Sequence, residues 1–227
     1  MLRAILFDFD GTLADTIPAI REGINLTMRL YGYPEHTEDE VRTFINFGAR
    51  ELVRRAMPRT LQSDEALVDR VLADYDRLYG GVCLHTNRCY DGMRELVCRL
   101  NEAGLKIGVL SNKQDHYVKA LCKNVLSPNT YGAAQGVLLG KPAKPDPYLT
   151  HLVTEALGVD PSECIMVGDS DVDVKTARNA GMLHVGVSWG YRDEAFLREA
   201  GADQIAHTPE ELENMIMDIK RKGDLLC

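Results

Sequence analysis

Apolar residues along the chain fall into two alternating patterns. Short, nearly continuous apolar runs occur at residues 3–9 (RAILFDF), 106–110, 164–167 and 183–187, with a weaker one at 203–206. A run of this length, closed by a turn residue such as Gly11, predicts a strand buried on both faces. Elsewhere apolar residues recur at helical spacing. Within 92–103, Met93, Leu96, Val97 and Leu100 share one face. The same spacing predicts helices over 115–125, 147–157, 172–180, 194–200 and 210–220, the last announced by Thr208-Pro209-Glu210-Glu211. Strands alternating with helices predict an α/β fold, a doubly wound parallel sheet with helices on both faces.

Residues 14–86 interrupt that alternation. They contain no convincing strand and read as helices over 16–31, 37–45, 49–56 and 63–79, with Gly80-Gly81 as a hinge near the end. A helical insert therefore follows the first strand. There is no internal repeat and no low-complexity stretch.

A chain of 227 residues suits one large domain, or a core with a smaller attached domain. No apolar run is long enough to span a membrane, and the apolar start meets acids too soon for a signal peptide. A net charge of −8 argues against nucleic acid and anionic membrane as partners. It also means that an anionic substrate would need a local cation. Cys83, Cys89, Cys98, Cys122, Cys164 and Cys227 form no CxxC and no metal spacing. They are expected as free thiols in a reducing, cytoplasmic setting. The histidines are scattered, and oligomeric state is not legible.

Four strings carry candidate chemistry. Asp8-Phe9-Asp10-Gly11-Thr12 ends the first strand, so two carboxylates arrive where ligands of α/β sheets bind. Held together, they repel unless a cation lies between them. Val167-Gly168-Asp169-Ser170-Asp171-Val172-Asp173 delivers further acids after another strand, and such hard oxygen ligands suit Mg²⁺. One of Asp169, Asp171 and Asp173 is expected to do no more than cap the next helix. Leu110-Ser111-Asn112-Lys113 reads as a strand ending in a hydroxyl and entering a helix, either an anion seat or a plain N-cap. Lys141 and Lys144 lie in the proline-stiffened segment 140–147, which could fix an ammonium in place.

Taken in order, these strings resemble the motifs of the haloacid dehalogenase superfamily: DxDxT, then Ser/Thr, then Lys, then an acidic pair after a strand. Lys144 is the matching lysine, because Lys144-Pro145-Asp146-Pro147 has the KPxP form. The resemblance implies a Rossmann-like core (1–13 and 87–227) and a helical cap (14–86). It implies Asp8 as nucleophile and Asp10 as general acid and base. Ser111, Asn112 and Lys144 would hold the phosphate. Mg²⁺ would be held by Asp8, the Asp10 carbonyl and Asp169, with Asp173 behind them. The string Asp8–Thr16 and the segment 45–52 are similar to the phosphoglycolate phosphatase group. In that group the segment carrying Asn46, Gly48 and Arg50 faces the substrate. Its usual Gly-x-Gly has Asn46 in first place here, and Arg50 is either a partner for a substrate carboxylate or a surface arginine. Asp171 is an extra acid, expected in solvent. Trp189 is expected to pack in a loop near the site.

Other members of the superfamily fit less well. Dehalogenases lack the second acid, present here as Asp10. Phosphonate-cleaving members use a cap lysine, and no lysine precedes Lys106. Mutases of the β-phosphoglucomutase type carry a cap histidine where Ile20 stands, and again a cap lysine. The expected activity is Mg²⁺-dependent hydrolysis of a small phosphorylated metabolite. Phosphoglycolate, pyrophosphate and sugar phosphates stay open as substrates. The mutase, a phosphotransferase and a non-catalytic binding protein remain alternatives.

Overall fold

The structure is a computed structural model that describes residues 1–86 and 88–224. Asn87, at the expected core boundary, and Cys227 lie outside the described residues. Strand β1 (Ala4–Phe7) is flanked in parallel by β4 (Lys106–Gln114) and β6 (Cys164–Gly168). Outside β4 lies β5 (Ala133–Val137); beyond β6 lie β7 (Leu183–Val187) and β8 (Ile205–Ala206). The order β5-β4-β1-β6-β7-β8 runs one way from β1 and then the other, the doubly wound plan expected.

Side-chain alternation explains the continuous apolar runs. Ile5, Phe7, Ile165 and Val167 join the core on one face, with helices α5 (Met93–Glu102), α6 (Asp115–Val125) and α10 (Pro209–Asp224). Ala4, Leu6, Cys164 and Met166 join a second core with α7 (Tyr148–Leu157) and α8 (Asp171–Ala180). A small α9 (Glu194–Glu199) packs with α8 through Val174 and Leu197.

The insert consists of α1 (Ile17–Tyr31), α2 (Glu38–Phe44), α3 (Ala49–Ala56) and α4 (Glu65–Thr86). The expected hinge at Gly80-Gly81 is corrected: α4 runs straight through both glycines. Each costs about 0.5–1 kcal/mol in a helix interior. The cost is met by burial of Val68, Val71, Tyr75, Tyr79 and Cys83. Gly80 lies against Tyr117, and a Cβ there would come within 3.0 Å of its Oη. That hydroxyl donates to the Asp76 carbonyl of the same helix at 2.7 Å.

Three further differences have local causes. The strand β5 was not foreseen, because its AAQGV sequence is small and polar, as suits a half-buried edge. The expected insert 14–86 is not free of strand: its first residues form β2 (Ala14–Asp15), which pairs antiparallel with β3 (Arg88–Cys89), joining the two crossings between insert and sheet. Strand β4 does not stop at Leu110. It continues, with a register irregularity, to Gln114. Among the described residues, the cysteines are free thiols and no helix is long and apolar enough to cross a membrane.

Candidate active site

Strand β1 ends at Phe7, and Asp8 follows with its N–H bonded to the Val167 carbonyl at 2.9 Å. Its Oδ1 accepts from Phe9 N at 2.7 Å and from Lys144 Nζ at 2.9 Å. The same ammonium lies 2.7 Å from Asp173 Oδ1. Asp169, at the end of β6, accepts from Thr12 Oγ1 at 3.0 Å and from Tyr191 N at 2.8 Å. Asp8, Asp169 and Asp173 are buried, and each offers an oxygen within 4.8 Å of the others. Glycines make this crowding possible. At Gly11 (φ +82°) a Cβ would come within 2.5 Å of Asp169 Oδ2; at Gly190 it would strike Asp169, and at Gly168 it would strike Asp173.

The cluster is electrostatically unbalanced. Burial raises the Asp8 carboxyl well above the ordinary carboxylate range; the Lys144 charge opposes this, while Asp173, Asp169 and Asp10 reinforce it. Burial, then the charge of Asp173, pushes Asp169 up to about 7. Burial would strip the proton from Lys144, but Asp173 and Asp8 hold it, so its amine stays charged. With all three carboxylates ionised against the one ammonium, two negative charges would stand uncompensated, which is why Asp8 and Asp169 favour their protonated forms when no cation is bound. A divalent cation with hard oxygen ligands fits that deficit.

Beside this cluster, Asp10 turns its carboxylate elsewhere. Oδ1 accepts from Thr16 Oγ1 at 2.7 Å and lies 3.0 Å from Lys113 Nζ. Thr16 in turn is held by Tyr191, whose Oη accepts from Thr16 N at 2.8 Å. Trp189 donates from Nε1 to the Thr12 carbonyl at 3.1 Å, so the loop after β7 packs on the first motif as expected.

Ser111 is buried at the cavity wall, but not at a helix start. Helix α6 begins only at Asp115, so Ser111 neither caps it nor shares its terminal N–H groups. Asn112 clamps the lysine segment: its Oδ1 accepts from Lys144 N at 2.7 Å, and its Nδ2 donates to the Lys144 carbonyl at 3.0 Å. The same Nδ2 reaches the Asn46 carbonyl of the insert at 3.3 Å. None of the three acids after β6 is the N-cap of α8. Ser170 is the N-cap, and Asp173, three residues on, accepts from Ser170 N and Oγ. Asp171 pairs with Lys175 at 2.6 Å on the helix surface.

A cavity of about 660 Å³, part of it open to solvent, joins sheet and insert. Asp8, Asp10, Ser111, Asn112, Lys113 and Lys144 line it from the sheet. Ile20, Ile45, Asn46, Gly48, Leu52, Tyr75 and Tyr79 line it from the insert. Asn46 holds φ +78° and Gly48 φ +84°, so the asparagine occupies a left-handed position where glycine is the usual residue. Arg50 does not line the cavity. Its guanidinium is 2.7 Å from both Glu65 and Asp69, the arrangement of a surface arginine, one of the two readings left open by the sequence. Lys113, Tyr79, Thr16 and Tyr191 are site residues that the motifs did not single out. Lys113 stood beside Ser111 and Asn112 in the third string, and that adjacency was the available signal.

Buried acids at the carboxyl ends of β1 and β6 thus gather around Lys144 beside a solvent-reaching cavity of an α/β fold. Comparison with known proteins agrees. Residues 5–187 match the haloacid dehalogenase-like hydrolases. The N-acetylmuramic acid 6-phosphate phosphatase of Pseudomonas aeruginosa is 33% identical over 216 residues, 93% of each chain. A phosphoglycolate phosphatase of Caulobacter vibrioides is 33% identical over 209 residues, 90% of this chain and 86% of its own. A solved structure from Lactobacillus delbrueckii subsp. bulgaricus, proposed to be a phosphoglycolate phosphatase, matches with TM-score 0.86 at 30% identity over 94% of this chain and 98% of its own. The chain belongs to the haloacid dehalogenase-like hydrolases. Within them, its phosphatase relatives put it among the phosphoric monoester hydrolases.

Proposed function

We propose that this enzyme hydrolyses a small phosphorylated metabolite in two steps through Asp8. The Asp8 carboxylate attacks phosphorus, the bond to the leaving oxygen breaks, and Asp10 gives that oxygen its proton. Asp10 then takes a proton from water, whose oxygen attacks the aspartyl phosphate, releasing inorganic phosphate and restoring Asp8. Ser111, the Asn112 N–H and Lys144 hold the phosphoryl oxygens while charge redistributes, the main source of rate in such transfers. Mg²⁺ would be held by Asp8, the Asp10 carbonyl and Asp169, with Asp173 adjoining. When bound, the cation supplies charge that offsets repulsion between the acids and an anionic substrate. The single observation that carries this reading is the uncompensated cluster of Asp8, Asp169 and Asp173 around Lys144.

In this reading residues 14–86 form the cap domain over a core of 1–13 and 87–227. The cap excludes water and selects the leaving group. Its wall is mostly apolar, with Asn46 and tyrosines for polar contact, and Arg50 is tied to Glu65 and Asp69. That wall suits a leaving group larger than a bare carboxylate fragment. The test follows phosphate release with Mg²⁺ from a panel containing N-acetylmuramic acid 6-phosphate, phosphoglycolate, pyrophosphate and hexose phosphates, with Asp8→Asn alongside. Release that EDTA and Asp8→Asn both abolish supports the reading. Hexose phosphate isomerisation without release refutes it.

A further inference from the structure

Lys113 is almost fully buried, its side chain 7% exposed, yet the mechanism above assigns it nothing. Its Nζ lies 3.0 Å from Asp10 Oδ1 and donates to Tyr79 Oη at 2.9 Å. The ammonium also sits 4.9 Å from the centre of the Tyr79 ring. Tyr79 is fixed in turn by stacking on Tyr75 at 5.3 Å and by an edge contact with Tyr117 at 5.1 Å. A single side chain on β4 thus ties the Asp10 carboxylate to α4 of the insert. The backbone puts it there. Beyond Leu110 the pairing of β4 with β5 shifts register, and Gly136 lets β5 press against the Lys113 carbonyl, where a Cβ would collide.

We propose that Lys113 is a positioning residue. It holds the Asp10 carboxylate toward the leaving oxygen and makes that orientation depend on Tyr79, so the acid is aligned only when the helical insert is seated. Two fixed donors, Thr16 Oγ1 from the insert crossing and Lys113 Nζ from the sheet, converge on the same oxygen of Asp10. One donor alone would leave rotation about the carboxyl free. Two donors from different elements define its plane, and a proton-transfer group needs such alignment.

The inference rests on the phosphatase reading, with Asp10 as acid, and predicts a signature that a purely structural lysine would lack. Nitrophenolate departs without a proton, whereas an alkoxide needs one. We would measure kcat/KM for p-nitrophenyl phosphate and for benzyl phosphate with Mg²⁺ in the wild type, Lys113→Met, Lys113→Arg and Tyr79→Phe. The benzyl-to-nitrophenyl ratio should fall roughly tenfold or more in Lys113→Met, a part of the roughly 10²–10⁴-fold that a positioned general acid supplies. It should recover in part in Lys113→Arg and fall by a smaller factor in Tyr79→Phe. An unchanged ratio, with both esters slowed equally, overturns the inference and leaves the phosphatase reading intact. Should Lys113→Met not fold, an unchanged ratio in Tyr79→Phe overturns it equally. A wild type inert toward both esters and toward the metabolite panel overturns the phosphatase reading and this inference with it.

Discussion

On the sheet side of the cavity, Asp8, Lys144, Asp169 and Asp173 are buried within a lattice of short contacts, and glycines at 11, 168 and 190 leave no room for any other backbone. On the insert side the wall is Ile20, Ile45, Leu52, Tyr75 and Tyr79, and the Nδ2 of Asn46 is buried there with no partner. The sheet wall concentrates like charges at a cost to stability. The insert wall is ordinary apolar packing with one unanswered amide. Under the proposed function the sheet wall carries the chemistry and the insert wall the selectivity, joined through Lys113 and Tyr79, and changes on the two sides should fail in different ways.

The sharpest break is Asp8→Asn. Turnover should fall by at least roughly 10³-fold, as for other nucleophile deletions. The metal-free protein should nonetheless melt at a higher temperature, because a buried, repelled carboxylate has become a neutral amide. A variant that loses both activity and stability would contradict the account of the sheet wall.

Second comes pH. Asp169 is raised to about 7 in the folded chain, above its ordinary 3.8. Between those values the folded form holds a proton that the unfolded form releases. The metal-free protein therefore gains stability from this group at low pH and loses it as pH rises through about 7. The contribution is at most about 4 kcal/mol. Asp169→Asn should flatten this slope in urea melts taken with EDTA. Mg²⁺ should counter the loss at pH 8 by binding the native state.

A third test is Gly190→Ala, where the new Cβ meets Asp169. It should cost about 1–3 kcal/mol in stability, the usual range for overpacking, and weaken Mg²⁺ binding in titration calorimetry. On the insert side effects should be smaller. Arg50→Ala removes exposed ion pairs with Glu65 and Asp69; it should change stability by under about 1 kcal/mol and turnover by less than twofold. Asn46→Gly keeps the left-handed backbone and removes the amide, so it should reorder the substrate panel with little effect on melting.

Legibility in the sequence followed the same divide. Buried parallel strands announce themselves as continuous apolar runs, and acids follow directly after two of them, so the gathering of Asp8, Asp10, Asp169 and Asp173 at one end of the sheet was legible from local pattern. Ser111 and Lys144 lay in local strings too, and the helix over 115–125 stands where its spacing put it, but Ser111 does not head it, because β4 runs on to Gln114 against β5. The edge strand β5 escaped notice because an exposed edge needs no apolar run. Gly80-Gly81 looked like a hinge because propensity is local, whereas the contact with Tyr117 that continues α4 is not. Arg50 could be read either way from sequence. Only the packing of α3 on α4 gives it Glu65 and Asp69. Lys113 and Tyr79 meet across 34 positions of sequence, a distance at which no spacing rule operates.

The small ribbon of β2 and β3 has a consequence of its own. Its two strands bring Asp15 and Arg88 into register, so everything between them is, for the sheet, a single loop whose ends are already fastened together. The entropy of closing that loop is met at the ribbon and not at the catalytic strands. Lineages could therefore exchange, lengthen or reshape the enclosed segment as a cassette, with the sheet and its acids inherited unchanged. New leaving groups would then be explored without disturbing the phosphoryl chemistry.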